Sequence, residues 1–300
     1  MSTTTRTDVK GSGNDADDVG VERAEEFARQ HPKLVAFARV GWLAKGLVYG
    51  LTGVLALLIG VHAARGSSTS GDAEASQTGA IARIAENSFG SALLIVVAAG
   101  LVVYSAWRIV SVILPGDNDV KGWLTRAGYL VSAITYLALA WTAITFVRQP
   151  GKSDDSEDSK VEEFTRDLMD RSFGRVAVFI IGALLIVIAG VFVWKAVSAS
   201  FTRQLLPGTV GPVSHRALVI LGRIGWVGRS GMMALIGFFL AGAAIRFDPN
   251  DAQGLDGSLR NAASTGAGTL LVIAVGAGLL VYGVFCALSA PKRRLVGADS

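Results

Sequence analysis

Cysteine and histidine, the usual ligands of transition metals, are scarce in this chain. Its 300 residues include one cysteine, Cys286, and three histidines. A single cysteine excludes an intramolecular disulfide and any site built from several thiolates. The histidines have no paired metal-binding spacing, and no HExxH motif occurs. The sequence therefore predicts neither a metal nor a bound cofactor, and it predicts that Cys286, in an apolar segment, is a small buried thiol.

Catalytic motifs are missing as well. No GxxxxGK[ST] phosphate loop is present, and "GRSGM" at 228–232 is not the GxSxG of a hydrolase. The glycine-rich stretch 222–231 lies inside an apolar run with no strand before it, which argues against a dinucleotide loop. No nucleophile is accompanied by a base. We therefore expect that the protein is not an enzyme, and we expect no nucleic-acid partner.

Charged residues are few and unevenly distributed. They make up 17% of the chain, whereas hydrophobic residues make up 51%. A helix needs about 20 apolar residues to cross a bilayer. Six such runs with little amphipathic character argue against the buried helices of a soluble protein, so an all-α membrane protein with six transmembrane helices is predicted. The runs cover residues 40–61, 91–113, 127–147, 174–201, 224–245 and 266–290.

The first forty residues contain no apolar stretch of the kind that a cleavable signal peptide needs. The first membrane helix is therefore expected to act as the insertion signal. Residues 1–30 are rich in Ser, Thr, Gly and Asp, a composition that predicts a disordered tail. A short basic tail is predicted at 291–300.

Lysine and arginine are concentrated on one side of the predicted membrane domain. The side that combines the N-terminus, the second–third and fourth–fifth connections and the C-terminus holds 18 basic residues, and the other side holds 10. Cytoplasmic loops of membrane proteins carry the excess of Lys and Arg. We therefore expect both termini to be cytoplasmic, although the 151–171 connection also carries several basic residues.

One motif occurs three times, with Arg first, Gly two places later and an aromatic residue next. It begins at Arg39, Arg126 and Arg223, and the chain divides into repeats at 31–113, 118–200 and 215–289. Each repeat is predicted to be a membrane hairpin. Its returning helix carries an aromatic residue four residues after a glycine. Its external connection is a short amphipathic stretch that ends in glycine in the first two repeats, "IARIAENSFG" and "FTRDLMDRSFG", whereas the third, "LRNAASTG", keeps only the glycine.

Each hairpin crosses the membrane twice, so all three repeats have the same orientation. Repeats of this kind are related by an axis along the membrane normal. The simplest arrangement is a ring of six helices with pseudo-threefold symmetry.

The three hairpins, the R-x-G-[WY] motif, the "SFG" connections and the glycine-then-aromatic helices resemble the bacterial membrane family named domain of unknown function 1206. The resemblance covers about residues 31–290. The second repeat departs most from the pattern, with Tyr129 in place of Trp and Ser132 in place of a cation. The resemblance implies a multi-pass protein of the bacterial plasma membrane, and it implies no activity.

The repeated motif has a simple interpretation as a membrane anchor. A long arginine side chain at a helix end can reach the lipid headgroups, and aromatic rings are common at the same level. Glycine between them lets a neighbouring helix approach closely. The predicted interface anchors are Arg39, Trp42, Arg126, Tyr129, Arg223 and Trp226.

A second interpretation concerns positions four and eight residues beyond each motif glycine, which share one helix stripe. A basic residue about 9 Å deeper than the motif arginine usually faces the bundle interior or a wet cavity. Three stripes that meet on the axis would form a cationic pocket open to the cytoplasm, and lipid-facing cations that reach back to the headgroups are the alternative. The candidate pocket residues are Lys45, Tyr49, Ser132, Tyr136 and Arg229.

Two classes of function remain. The first is a structural or partner-binding membrane module, whose tails and loops contact another membrane protein. The second is a protein that binds or transports an anionic solute or lipid headgroup through the central pocket. The sequence favours the first, because the helices carry few polar residues besides the two cations. The bilayer itself is the one partner that composition requires, and the sequence leaves the oligomeric state open.

The predicted orientation can be measured with membrane-impermeant thiol labels. Single cysteines introduced at Ser156 and Gly254 should react in intact cells, because both lie in external connections. Cysteines at Gly208 and Asp299 should react only after permeabilisation. Labelling of the C-terminal tail in intact cells would contradict this topology.

Overall fold

The protein was analysed as a computed structural model, which describes residues 32–66, 74–85, 89–113, 120–148, 157–171, 173–204 and 214–290. The predicted tails at 1–30 and 291–300 lie outside the described residues. Within the described ranges, the regular elements are nine α-helices and two short 3₁₀ turns.

Six of these helices are long. All six are long and apolar enough to span a membrane, which confirms the predicted all-α architecture with six membrane helices. The protein is therefore a multi-pass membrane protein. The long helices are α1 (Pro32–Ala64), α3 (Gly90–Ile113), α4 (Val120–Arg148), α6 (Gly174–Ser198), α7 (His215–Arg246) and α9 (Gly266–Ser289).

In each repeat, one short amphipathic helix lies between the two long helices. These short helices are α2 (Gln77–Ala85), α5 (Glu157–Met169) and α8 (Leu255–Ala263). We call the end of the bundle that carries them the cap side. We call the opposite end, where Arg39, Arg126 and Arg223 lie, the arginine side.

The tightest packing between long helices crosses the boundaries between repeats. The closest pairs are α9 with α1, α6 with α7, and α3 with α4, in each case the returning helix of one repeat and the outgoing helix of the next. Pairs within a repeat, α7 with α9 and α1 with α3, are looser. The helices therefore follow the order α4, α3, α1, α9, α7, α6 around the bundle.

Glycines determine how closely α1 and α9 approach. Gly46 and Gly53 lie seven residues apart on α1 and meet Gly283 and Gly276, also seven apart, on α9. A Cβ atom added to Gly46 would lie 2.8 Å from the Gly283 carbonyl oxygen, so no larger residue fits without movement of the backbone. Small residues promote this kind of approach in lipid, where helices gain little from the hydrophobic effect.

Buried hydroxyl groups support the other two tight pairs. The Ser105 hydroxyl on α3 donates to the Ala133 carbonyl on α4 over 2.5 Å. The Ser230 hydroxyl on α7 donates to the Ala189 carbonyl on α6 over 2.8 Å. Polar side chains that bridge helices in this way help to hold membrane bundles together.

The second repeat leaves the ring open. Within the described residues, α4 and α6 make little or no contact with each other. In the first repeat, a Cβ atom at the motif glycine Gly41 would meet the Gly100 carbonyl oxygen at 2.9 Å, and in the third, one at Gly225 would meet the Tyr282 Cα at 2.7 Å. Among the residues that the structure describes, nothing lies within 4 Å of the Cβ position of the corresponding Gly128. The predicted ring is thus closed at five of its six helix junctions.

The rotation of α6 explains this difference. Trp194 occupies the sequence position of the buried Tyr104 and Tyr282, yet it is 69% exposed. Phe192, two residues earlier on the helix, points into the bundle instead and contacts the Trp226 ring. Residues two apart lie on nearly opposite sides of an α-helix, so Phe192 and Trp194 cannot both point into the bundle.

Each returning helix begins where a glycine contacts the preceding cap helix. A Cβ atom would overlap the Ile84 carbonyl oxygen if placed on Gly90, and the Leu168 carbonyl oxygen if placed on Gly174. Alignment of the three repeats predicts this role for Gly266 in the third repeat, but no described atom lies within 4 Å of the Cβ position of that glycine. Gly268 takes the role instead, against the Ala262 carbonyl oxygen six residues before it, the same spacing as in the other two repeats.

Carboxylates on the cap side join neighbouring repeats. The Asp158 carboxylate of α5 accepts a hydrogen bond from the Gly257 N–H of α8 over 2.7 Å. The Asp256 carboxylate of α8 accepts one from the Ala75 N–H, also over 2.7 Å, and pairs with Arg260. The second repeat is thus tied to the third, and the third to the first.

The titration of the Asp158 carboxylate is shifted by its surroundings. Burial raises the pKa of Asp158 above its ordinary value of 3.8, and the nearby Asp256 charge raises it further, while backbone N–H groups oppose the shift. The folded state therefore binds this proton more tightly than the unfolded state does. Its contribution to stability is largest at acidic pH and is lost as the pH rises through the raised pKa.

Replacement of Gly174 by alanine should destabilise the protein. The added methyl group would overlap the Leu168 carbonyl oxygen, and overpacking of this kind costs about 1–3 kcal/mol. Gly266→Ala is the matched control and should leave the melting temperature unchanged, because that position is open. Equal melting temperatures of the two variants in detergent would contradict the assignment.

The effect of Asp158→Asn should depend on pH. Asparagine keeps an acceptor for the Gly257 N–H but cannot take up the proton. The melting temperature of the wild type relative to the variant should therefore fall as the pH rises from about 4 to about 7. Melting curves of both proteins across this range measure the difference, and a constant or rising difference would count against a raised pKa.

Candidate functional site

Lys45 lies inside the bundle, about 9 Å beyond Arg39 along α1, and its side chain is 2% exposed. Five aromatic rings surround its ammonium group, and the Tyr104 hydroxyl accepts a hydrogen bond from it over 3.3 Å. All five distances fall in the range of cation–π contacts. From Nζ to the ring centroids they are 4.7 Å for Trp42, 5.1 Å for Tyr104, 5.4 Å for Tyr136, 5.7 Å for Tyr282 and 5.9 Å for Tyr49.

Arg229 on α7 shares two of these rings. Its guanidinium carbon lies 5.5 Å from the ring centroids of both Tyr49 and Tyr282. It also lies 4.7 Å from Phe192 and 5.4 Å from Trp226, and it donates a hydrogen bond to the Tyr282 hydroxyl over 3.0 Å. Two cations from different repeats therefore face the same two tyrosines.

The surroundings of Lys45 and Arg229 repeat each other. Trp42 meets Tyr104 edge to face at 5.7 Å beside Lys45. Trp226 meets Tyr282 at the same distance beside Arg229. These pairs come from matching positions of the first and third repeats. The second repeat contributes Tyr136, which packs on Tyr104 at 4.8 Å. We call this group of side chains the central site.

Arg108 extends the central site along α3. It donates to the Tyr104 hydroxyl from Nε over 3.0 Å and from Nη2 over 2.7 Å, and it lies 4.9 Å from the Tyr129 ring centroid. The repeat pattern of the sequence does not point to Arg108, although Arg108 follows Tyr104 by four residues and so shares its helix face. The pattern does show an aromatic residue in each returning helix, but it does not place these residues in the site.

The six membrane helices carry no acidic residue that could balance these charges. Between the first and last residues given above for each of these helices, the sequence contains no Asp or Glu. In the part of the chain that the structure describes, the ion pairs lie on the cap side, as Arg260 with Asp256 and Arg246 with Asp251 do. Neither Lys45 nor Arg229 takes part in one of them. The central site is therefore positively charged as well as buried.

Three buried donor groups of the central site have no hydrogen-bond partner among the residues that the structure describes. They are the Tyr136 hydroxyl, the Trp226 indole N–H and the Arg229 Nε. Buried polar groups are nearly always paired in proteins, and an unpaired one costs about 1–3 kcal/mol. Three unpaired donors beside the buried Lys45 and the partly buried Arg229 indicate a place that can accept an electron-rich group.

Four of the five candidate pocket residues come together in this site. Lys45, Tyr49, Tyr136 and Arg229 all contribute to it, as the shared helix stripe predicts. Ser132, the fifth, is half-buried one turn before Tyr136. No contact between Ser132 and either cation is seen.

The predicted interface anchors divide into two groups. Arg39 and Arg223 are exposed, and Arg126 lies over the exposed Trp123 ring at 5.7 Å, which fits a position near the headgroups. Tyr129 is half-buried beneath Arg108. Trp42 and Trp226 differ from the anchor interpretation, because they are 6% and 7% exposed and form walls of the central site.

Comparison with known proteins supplies the family. Residues 40–114, 127–199 and 224–293 each match the model described as Domain of Unknown Function (DUF1206). The chain belongs to this family. The resemblance seen in the sequence is thereby confirmed, as are the three repeated regions.

A curated relative supports the same assignment. The chain is 30% identical over 257 residues to "Uncharacterized protein YxxB" of Bacillus subtilis (strain 168), which covers 85% of this chain and 89% of the relative. No solved structure matches the chain. Neither the DUF1206 description nor the relative's name states an activity, so function has to be argued from the central site.

Proposed function

We propose that this DUF1206 protein binds an anionic group, such as a phosphate or carboxylate, at the central site. The observation that carries the proposal is the position of Lys45 and Arg229. Both are held beside the Tyr49 and Tyr282 rings, in membrane helices that contain no acidic residue.

Electrostatics favours a bound anion there. Removal of a cation from water is costly unless an opposite charge or several hydrogen bonds replace the lost hydration. Two cations that face the same rings also repel each other, and this repulsion is stronger inside a protein than in water. An anion placed between Lys45 and Arg229 would remove both penalties.

The donor groups suit an oxyanion. Arginine and lysine form short, strong hydrogen bonds to phosphate and carboxylate oxygens. The Tyr136 hydroxyl, the Trp226 indole N–H and the Arg229 Nε add donors that have no partner in the protein. The proposal needs binding alone and no chemical step, in keeping with the expectation that the protein is not an enzyme.

The distribution of basic residues extends the proposal to orientation. If the protein lies in a bacterial plasma membrane with its arginine side facing the cytoplasm, the central site lies in the cytoplasmic half of the bilayer. The protein would then bind anionic groups that approach from the cytoplasm or from the inner leaflet.

A structural or partner-binding module is the second candidate. It is favoured by the five rings around Lys45, because each cation–π contact in a desolvated site contributes about 2 kcal/mol and could compensate the buried charge without a ligand. In that case the cage would hold three repeats together, and the exposed helix faces would contact another membrane protein.

Substitution of the two cations distinguishes these functions. Lys45→Met and Arg229→Met should each weaken binding of phosphatidylglycerol and of inorganic phosphate by about ten- to a hundredfold, because each removes a charged hydrogen-bond donor. Both should leave the melting temperature unchanged or higher, since an intramembrane charge raises the cost of insertion. Native mass spectrometry of the gently extracted protein would measure retention and added-probe binding.

Arg39→Met is the matched control, because this arginine is exposed on the same helix. It should disturb anchoring or orientation and leave binding intact. Unchanged binding of both probes in Lys45→Met and Arg229→Met, together with a loss of thermal stability, would overturn the proposal and favour the structural module.

A further inference from the structure

In the described part of the chain, the opening between α4 and α6 is the one junction of the helix ring that is not closely packed. The motif glycines of the first and third repeats are covered by the returning helix of the same repeat. In the second repeat, Gly128 on α4 and Gly190 on α6 both have nothing within 4 Å of their Cβ positions. Two surfaces built for close helix contact are therefore left apart.

The opening is apolar along its outer part. Exposed aliphatic residues continue along both helices, and Trp194 stands at its arginine-side end with 69% of its surface exposed. In the hydrocarbon layer such surfaces are covered by lipid chains or by other helices. The long helices carry no acidic residue, so no negative charge beside the opening would repel an anionic lipid.

The inner end of the opening meets the central site. Tyr136, on α4, lies 5.4 Å from Lys45 as measured to its ring centroid, and its buried hydroxyl has no partner. Phe192, on α6, lies 4.7 Å from the Arg229 guanidinium carbon. The two helices that border the opening thus also border the two cations.

We propose that the ligand of the central site is an anionic phospholipid that enters sideways between α4 and α6. Its phosphate contacts Lys45, Arg229 and the Tyr136 hydroxyl after its headgroup has passed between Gly128 and Gly190, and its acyl chains extend from the opening toward the membrane midplane. This inference rests on the proposed function, since it names the class of anion that the same site binds.

The chemistry of the two ends favours a lipid over another helix. A transmembrane helix of a partner or of a second copy would fill the apolar opening, but it would leave Lys45, Arg229 and the unpaired donors without an anion. A free phosphate would satisfy the donors and leave the opening unfilled. An anionic lipid is the occupant that matches the charged inner end and the apolar outer end together.

Filling the opening tests this route. The double variant Gly128→Phe/Gly190→Phe places two rings at the opening that the lipid has to pass, at positions where an added Cβ atom meets no described atom within 4 Å. Its affinity for phosphatidylglycerol should fall by about tenfold or more, because the rings narrow the passage for a headgroup that carries acyl chains. Its affinity for glycerol 3-phosphate, which has the phosphate without the chains, should match the wild type.

The matched control is Ile134→Phe/Leu184→Phe, at exposed positions six residues away on the same two helices. These side chains point about 120° away from the glycines, so the control should bind phosphatidylglycerol like the wild type. A phosphatidylglycerol analogue with a photoreactive acyl chain gives a second readout. It should label residues of α4 and α6 in the wild type, and label them less in the glycine variant.

The outcomes separate the two proposals. Wild-type affinity for phosphatidylglycerol in the glycine double variant would overturn the lateral route and leave the anion site standing. Glycerol 3-phosphate binding as tightly as phosphatidylglycerol would overturn the choice of a lipid. If Lys45→Met and Arg229→Met bind both probes as tightly as the wild type does, the anion site itself is overturned.

Discussion

Close approach of helix backbones is the constraint on which this structure depends. Lipid chains are as apolar as leucine, so helices in a bilayer gain little by burying apolar side chains against each other. Contact has to come from shape, and Gly46 and Gly53 on α1 provide it by meeting Gly283 and Gly276 on α9. The tightest pairs join different repeats, so no hairpin forms its closest contact with its own other half. The repeats therefore stabilise one another around the ring.

This close packing creates the central site. When α1, α3, α7 and α9 approach closely, their aromatic residues meet on the inside, where Trp42 packs on Tyr104 and Trp226 on Tyr282. The rings enclose the cations four residues beyond the motif glycines. Glycine, aromatic residue and cation thus act as one unit, in which the glycine allows the approach that buries the other two.

The sequence predicts the helices and repeats well, because about 20 apolar residues between polar loops leave few alternatives. It also predicts that Lys45, Tyr49, Tyr136 and Arg229 meet, since positions four apart share a helix stripe. It could not place Arg108 in the same site, because that requires knowing which helices are neighbours. The burial of Trp42, three residues beyond Arg39, likewise depends on the direction that each side of α1 faces.

The open junction is harder still to predict. Gly128 and Gly190 occupy the same sequence positions as their counterparts in the closed repeats, so the local pattern predicts contact. Rotation of α6 decides the outcome, and it follows from a choice between Phe192 and Trp194 for the interior. Helix rotation is set by all neighbours of a helix at once, and a motif of a few residues does not determine it.

The differences between the second repeat and the other two all make the bundle less symmetric. A strictly threefold bundle would place a third cation where Ser132 stands, and mutual repulsion of three buried charges would exceed that of two. It would also close the junction between α4 and α6. With Ser132 in place of a cation and Phe192 turned inward, the bundle keeps two cations and one opening beside them. Repetition supplies the close packing, and the divergence of one repeat makes the site asymmetric, as a ligand with one charged end and one apolar end requires.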